Sequence, residues 1–292
     1  MPVHFKKVAI IGVGLIGGSL AMAMKHQRMA DTIVGIGRGI ENLELAKRLG
    51  VVDSISLDVE SGVAGADLVV VAVPVLKTGG MIKKAASGLT PPCIITDVGS
   101  VKKAIIDECE AGLPKGITFV PGHPIAGTEN SGVEAAMANL YKKRVCVLTP
   151  TSNTPQADIA TVREMWTEVG AKVVIMDAAA HDRILSAISH LPHMIAYTLV
   201  STVAASGEKN IDFLKYSAGG FRDFTRIASS SPEMWTEVCA MNKDNVVGMI
   251  ENFQRQLEAL KRLIAQGDFK GVKETFESAK KIRDSITTAG KK

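Results

Sequence analysis

Residues 67–73 read Asp-Leu-Val-Val-Val-Ala-Val and stop at Pro74. The run does not alternate between apolar and polar, so an extended segment here must bury both of its faces. Lys7–Ile11, Thr32–Ile36 and Ile94–Thr96 are shorter runs of the same kind. Between the first of them lie helical patterns, Leu15–Gln27 and Glu41–Leu49, the second closed by Gly50. Fully buried strands alternating with helices predict an α/β fold in which a doubly wound, mostly parallel sheet is covered on both sides.

Two further strands are expected at Arg144–Leu148 and Lys172–Met176. The helix between them should open with Thr154 as N-cap and Pro155 at the first helical position, and close at Gly170. After Asp177 no β-rich run occurs, and helical patterns fill the chain to Ala289. The expected division is therefore an α/β domain over 1–177 and an all-α domain over 178–292, which suits a chain of 292 residues. Asp177 can cap a long helix to about Ser206, kinked by Pro192. Ser231-Pro232-Glu233 starts another. Met249, Phe253, Leu257, Leu260 and Ile264 form one apolar stripe, suited to the core of its own domain and equally to a subunit interface.

The net charge of +4 is small, and no basic-aromatic stripe is present, so nucleic acid is not an expected partner. No membrane span is expected either: the apolar stretch Ala66–Leu76 contains Asp67 and is far short of the roughly 20 residues required. The N-terminus lacks a signal-peptide layout. Cys93, Cys109, Cys146 and Cys239 lie far apart, which argues against a zinc site or a disulfide framework and for a reducing cytoplasm.

Gly12-Val13-Gly14-Leu15-Ile16-Gly17 is a GxGxxG loop between a predicted strand and a predicted helix, the context a dinucleotide-binding Rossmann unit requires. Gly12 permits the tight turn, Gly14 lets a pyrophosphate approach the backbone, and Gly17 lets helix and strand pack closely. Leu15 and Ile16 open the helix whose N–H groups face the phosphates. Val73 and Pro74, where the Asp67–Val73 strand ends, are expected to border the same cofactor. At the end of the second strand, Gly37 stands where an NAD site usually carries an acid, and Arg38 follows. The cofactor is NAD or NADP. The missing carboxylate and the arginine favour NADP, although Arg38 could instead stack on adenine or face solvent.

Six histidines occur, and two contexts stand out. His123 lies in Gly122–Glu129, rich in small and rigid residues, where an imidazole would be held in place. His190 and His193 lie three apart on one helix face beside Pro192. They lack an HExxH pattern or a cysteine partner, so no metal site is expected. Gly219–Arg226 carries Arg222 and Arg226, which could clamp a carboxylate; Arg222 could equally pair with Asp223 at the surface.

In order along the chain, GVGLIGGS, DVGSVK (97–102), GHPIAGTENSG (122–132), SHLPH (189–193) and GFRDFTRIA (220–228) resemble the prephenate dehydrogenase family of tyrosine biosynthesis over nearly the whole length. The resemblance implies a Rossmann domain followed by a helical domain that makes a homodimer. It implies oxidative decarboxylation of prephenate to 4-hydroxyphenylpyruvate, with arogenate as the alternative substrate. His123 matches the family's catalytic histidine, and Ser100 a serine that bonds it and could fix its tautomer. Arg226 matches the arginine for the ring carboxylate, and His193 a second substrate contact. Thr128 and Trp235 are further substrate-binding candidates, with Lys243 and Arg222 as weaker ones for the pocket wall, and His190 is expected to be structural. A Rossmann-type reductase of imines or 3-hydroxy acids, and a cofactor-sensing protein without a base, are more distant readings. No stretch remains for a fused regulatory domain, so any inhibition by tyrosine is expected near the active site.

Overall fold

The computed structural model describes residues 3–128, 130–207 and 213–289. Six strands form one sheet: β1 (Phe5–Ile11), β2 (Ala30–Ile36), β3 (Ser54–Ser56), β4 (Leu68–Val71), β5 (Cys93–Asp97) and β6 (Ile117–Val120). Their order is β3-β2-β1-β4-β5-β6, and every neighbouring pair is parallel. The order reverses between β1 and β4, so a crevice opens at the carboxyl ends of these two strands, the usual place for a ligand in such sheets.

Both faces are covered, as the unbroken apolar strands require. On one side Val8 and Ile10 of β1 join Leu20 and Met24 of α1 (Leu15–His26) and Leu43 of α2 (Ile40–Arg48). On the other, Ala9 and Ile11 join Val63 of α3 (Val59–Val63), Ile82 of α4 (Val75–Ser87) and Ile105 of α5 (Lys103–Cys109). Alternate residues of one strand thus feed two separate cores.

The strands expected near 144–148 and 172–176 do not extend this sheet. They form a second one, in which β7 (Gly122–Pro124) pairs antiparallel with β8 (Val145–Leu148) and β8 pairs parallel with β9 (Lys172–Ile175). The helix between them, α6 (Gln156–Glu168), starts one residue later than expected: Pro155 is itself the N-cap. The Thr154 hydroxyl is spent on the Thr151 amide, 3.1 Å away, rather than on the helix.

Asp177 caps α7 (Ala178–Leu185) by accepting the Ala180 N–H at 2.9 Å. The helix then widens through a π-helical turn, Ser186–His190, into α8 (Leu191–Ala205). Pro192 explains the widening: with no N–H it cannot serve the Ile188 carbonyl, and the preceding Leu191 N–H reaches back five residues to Ser186. The single kinked α-helix expected here is therefore two α-helices joined by a π-turn. By length and hydropathy alone Ala178–Ala205 could cross a membrane, but it carries the buried polar residues His181, Asp182 and His190. α9 (Gly219–Thr225), a tight turn at Arg226–Ser229, α10 (Pro232–Met241), α11 (Lys243–Ala265) and α12 (Phe269–Ala289) complete the chain.

Packing groups the chain into two compact units, residues 1–243 and 244–292. In the first, α10 docks on the α/β part: Trp235 and Val238 are buried with Val75 and Val101, and Glu237 accepts the Leu76 N–H at the start of α4 at 3.2 Å. In the second, the apolar stripe of α11 is not a core: Phe253, Leu257 and Ile264 are exposed, as are Phe269, Phe276 and Ile282 on α12.

Candidate active site

The glycine loop sits in the crevice between β1 and β4. Gly12 has φ +97°, and a Cβ there would stand 2.2 Å from the Ala72 carbonyl oxygen. A Cβ on Gly17 would stand 2.1 Å from the Gly12 oxygen, so helix and strand meet only because it is absent. Around Gly14 nothing lies within 4 Å of that position, which leaves the backbone open to a ligand. Leu15 is buried and Ile16 packs on the same core, so both offer the ligand their amides rather than their side chains. Gly14 is the N-cap of α1 with no side-chain cap, and no acid stands in the first turn. Free N–H groups and a partial positive charge thus face the open space.

A cleft of about 280 Å³ continues from this loop, lined by Gly12–Gly14, Gly37, Arg38, Gly39, Asn42, Leu43 and Ala72. Asn42 Nδ2 donates to the Val13 carbonyl at 2.8 Å and ties the loop to α2. Val73 touches the loop at the top of β4, where Pro74 caps α4. These residues fit a dinucleotide: the loop offers amides at an uncapped helix end and no competing carboxylate. Arg38 lines this cleft.

His123 is held on β7. The peptide before it is tied at both ends to one buried ion pair: Gly122 N–H donates to Asp97 Oδ1 (3.1 Å), and Lys102 Nζ donates to the Gly122 carbonyl (2.8 Å) and pairs with Asp97 Oδ2. Neither side chain of that pair is exposed. The His123 Nδ1 meets His181 Nε2 at 2.8 Å, and His181 Nδ1 meets Asp182 Oδ1 at 2.8 Å. Asp182 also accepts the amides of Lys102 and Lys103, both at 2.9 Å. Burial holds the His123 pKa well below the usual histidine value, and nearby His181, Lys102 and His190 push the same way, so the ring is neutral. Burial would raise the Asp182 pKa, but the bonds from His181 and the two amides outweigh it and hold the carboxylate ionised.

His193 lies stacked on Trp235, ring centroids 3.7 Å apart. Its Nδ1 is engaged by the Ser189 carbonyl at 2.9 Å, which leaves Nε2 for another partner. Burial, the largest influence, lowers its pKa; the bond to Ser189 works against this, and the positive charge of Arg226 adds to the lowering. His190 packs edge-on against the same Trp235, and Asn242 Nδ2 approaches its Nδ1 at 3.2 Å. His193, Trp235 and His190 thus form one cluster.

Among the described hydrogen bonds none joins Ser100 to His123; the partner of His123 Nδ1 is His181. Thr128 is exposed, and its hydroxyl accepts the Asn130 amide at 3.2 Å instead of reaching the histidines. Arg222 is exposed and makes no ion pair with Asp223 among the described residues. Glu129 lies outside the described residues.

Sequence reasoning missed His181, Asp182, Asp97 and Lys102. Asp97 and Lys102 were in plain view as the ends of DVGSVK. The adjacent His181-Asp182, one turn into a helix capped by Asp177, was the other available signal.

Comparison with known proteins agrees with this arrangement. The nucleotide-binding domain of prephenate dehydrogenase matches residues 20–175, and the dimerization domain of prephenate dehydrogenase matches residues 177–278. A cyclohexadienyl dehydrogenase of Zymomonas mobilis is 37% identical over 97% of each chain. A prephenate dehydrogenase of Bacillus subtilis is 36% identical over 96% of this chain and 76% of its own length. The crystal structure of prephenate dehydrogenase from A. aeolicus in complex with hydroxyphenyl propionate and NAD+ superposes with a TM-score of 0.91 at 37% identity, covering 96% of this chain and 98% of the other. With a Rossmann sheet, an open glycine cradle and a buried neutral histidine in their expected order, this chain belongs to the prephenate dehydrogenase family.

Proposed function

We propose that this NAD(P)-dependent oxidoreductase converts prephenate to 4-hydroxyphenylpyruvate and carbon dioxide, with arogenate as the second substrate to be tested. The observation that carries this reading is a neutral, buried His123 whose Nδ1 is already engaged, leaving Nε2 for a substrate hydroxyl. A neutral imidazole accepts the hydroxyl proton as negative charge grows on the oxygen. What the nicotinamide supplies, when bound in the cleft, is an acceptor for the carbinol hydride. Loss of the ring carboxylate as carbon dioxide aromatises the ring, and His123 can then return its proton to the phenolate oxygen. Arg226 is assigned to the ring carboxylate, with His193 and Trp235 toward the other end of the substrate. Ser100 is kept as a residue facing the reacting hydroxyl, and Thr128 as a loop contact.

The junction of the dinucleotide-binding and helical parts is placed at Asp177. Arg38, with no acid at Gly37, favours NADP over NAD. The exposed apolar faces of α11 and α12 support a homodimer formed through residues 178–292. Four free thiols, three of them buried, suit a reducing cytoplasm.

A steady-state assay crossing prephenate and arogenate with NAD and NADP tests the reading. Turnover is expected with prephenate and higher kcat/KM with NADP, and it should fall by orders of magnitude in His123→Asn with cofactor binding intact. Absence of turnover on both substrates overturns the assignment.

A further inference from the structure

Three segments distant in the chain converge on the face of His123 away from the expected substrate: the β5–α5 connection with Asp97 and Lys102, the start of β7, and the first turns of α7. We propose that Asp182 and His181 are positioning residues which fix the tautomer of His123, so that its Nε2 is bare and aimed to take a proton, while the Asp97–Lys102 pair locks the peptide that carries it. This rests on the reading of His123 as the acceptor of the substrate hydroxyl proton.

An ionised carboxylate only accepts hydrogen bonds. Asp182 takes two backbone N–H groups, from Lys102 and Lys103, and the ring of His181. His181 must therefore carry its proton on Nδ1, the atom facing Asp182. In the neutral ring its Nε2 is then an acceptor, and the atom it faces at 2.8 Å is His123 Nδ1. His123 must donate there and so carries its own proton on Nδ1. By elimination its Nε2 holds a lone pair. Reversing the chain would put a proton on Asp182, opposite two amide N–H groups that need an acceptor. The Asp182 backbone is held as well, its carbonyl accepting from Asn242 Nδ2 at 2.9 Å.

When His123 takes a proton at Nε2, positive charge appears in a buried place. Lys102 and a protonated His190 oppose that charge. Asp97 and Asp182 favour it, and His181 conducts the Asp182 effect through its ring; the Cys146 thiol beside β7 is pushed up by burial and stays neutral. A carboxylate one imidazole removed is thus the group that makes a proton-accepting His123 tolerable, without itself being protonated. The peptide clamp explains why the geometry holds: both polar atoms of Gly122 are tied, and a Cβ on Gly122 would stand 3.1 Å from the Asp97 carbonyl oxygen.

The test has two arms. Asp182→Asn presents an N–H to His181, flips its tautomer, and puts the His123 proton on Nε2. Expected is a kcat lower by on the order of 10³–10⁴ with KM for substrate and Kd for cofactor within about threefold of wild type. A kcat within tenfold of wild type, or a loss confined to KM, overturns the proposal. The second arm needs neither a variant nor turnover. Nitrogen-15 NMR of the histidine-labelled full-length protein at neutral pH should find the protons of His123 and His181 on Nδ1; a His123 proton on Nε2 overturns the chain of inference even if the variant misfolds. Failure of wild-type turnover on prephenate and arogenate would instead strike the functional reading and leave the tautomer result standing.

Discussion

His190 sits at the end of the π-helical turn with 1% of its surface exposed. Burial, its largest influence, takes its pKa from 6.5 down to about 4. The unfolded chain therefore binds a proton between those values that the native protein refuses, and stability falls as pH drops through the window. At about pH 5, the ratio of unfolded to native binding terms is roughly 30, which at 25 °C is about 2 kcal/mol relative to neutral pH. His190→Gln removes the titration while its side-chain oxygen can still accept from Asn242. Urea unfolding, followed by circular dichroism at one fixed protein concentration, measures the effect in both proteins at about pH 8 and about pH 5. Wild type should lose about 2 kcal/mol more than the variant over that interval. His123, whose pKa is also lowered, contributes with the same sign to both and cancels. Asp182 has a depressed carboxylate pKa, so its contribution is lost only at more acid pH, outside the window. Parallel losses in the two proteins would refute the claim that His190 is buried neutral.

Arg226→Ala should raise KM for substrate by about 10- to 100-fold with a modest change in kcat, since it removes a charge-assisted contact worth roughly 1.5–3 kcal/mol; an unchanged KM removes Arg226 from the carboxylate site. Arg38→Ala should weaken NADP binding by at least about tenfold more than NAD binding, read by fluorescence titration, because only NADP carries the 2′-phosphate; equal effects defeat the NADP argument. Gly17→Ala places a Cβ 2.1 Å from the Gly12 oxygen and 3.0 Å from the Ile10 side chain, so the loop must move. It should cost about 1–3 kcal/mol and weaken dinucleotide binding; unchanged Tm and Kd would show that the close approach is not required.

Much of this was legible along the chain. β1, β2, β4 and β5 fall on the unbroken apolar runs because both of their faces are covered, and that pattern has no surface alternative. The glycine loop was legible for another reason: its demands are met by consecutive residues, and Gly12 adopts the positive φ that its position in the turn implies. Short elements were harder. β3 and β7 are three residues each, too short for any periodicity to register. The π-turn was missed because proline in a helix predicts disturbance without saying how the freed carbonyl will be served. The exposed stripe of α11 looks the same in sequence whether it faces its own domain or another chain.

His123 was legible as a candidate, but the atoms that hold it were not. His123 could be singled out from its rigid neighbours and its resemblance to a family. Its partner His181 lies 58 positions away, and Asp182 is bonded to Lys102 across 80. Those pairings depend on β7 leaving the main sheet and α7 folding back over the start of α5, and neither is written in local composition. Chain order carried the sheet and the glycine loop, because hydrophobic periodicity and backbone conformation act between near neighbours. That His123 meets His181, and His181 meets Asp182, follows only from the folded arrangement, because hydrogen bonds and buried charges act through space between residues the sequence keeps apart.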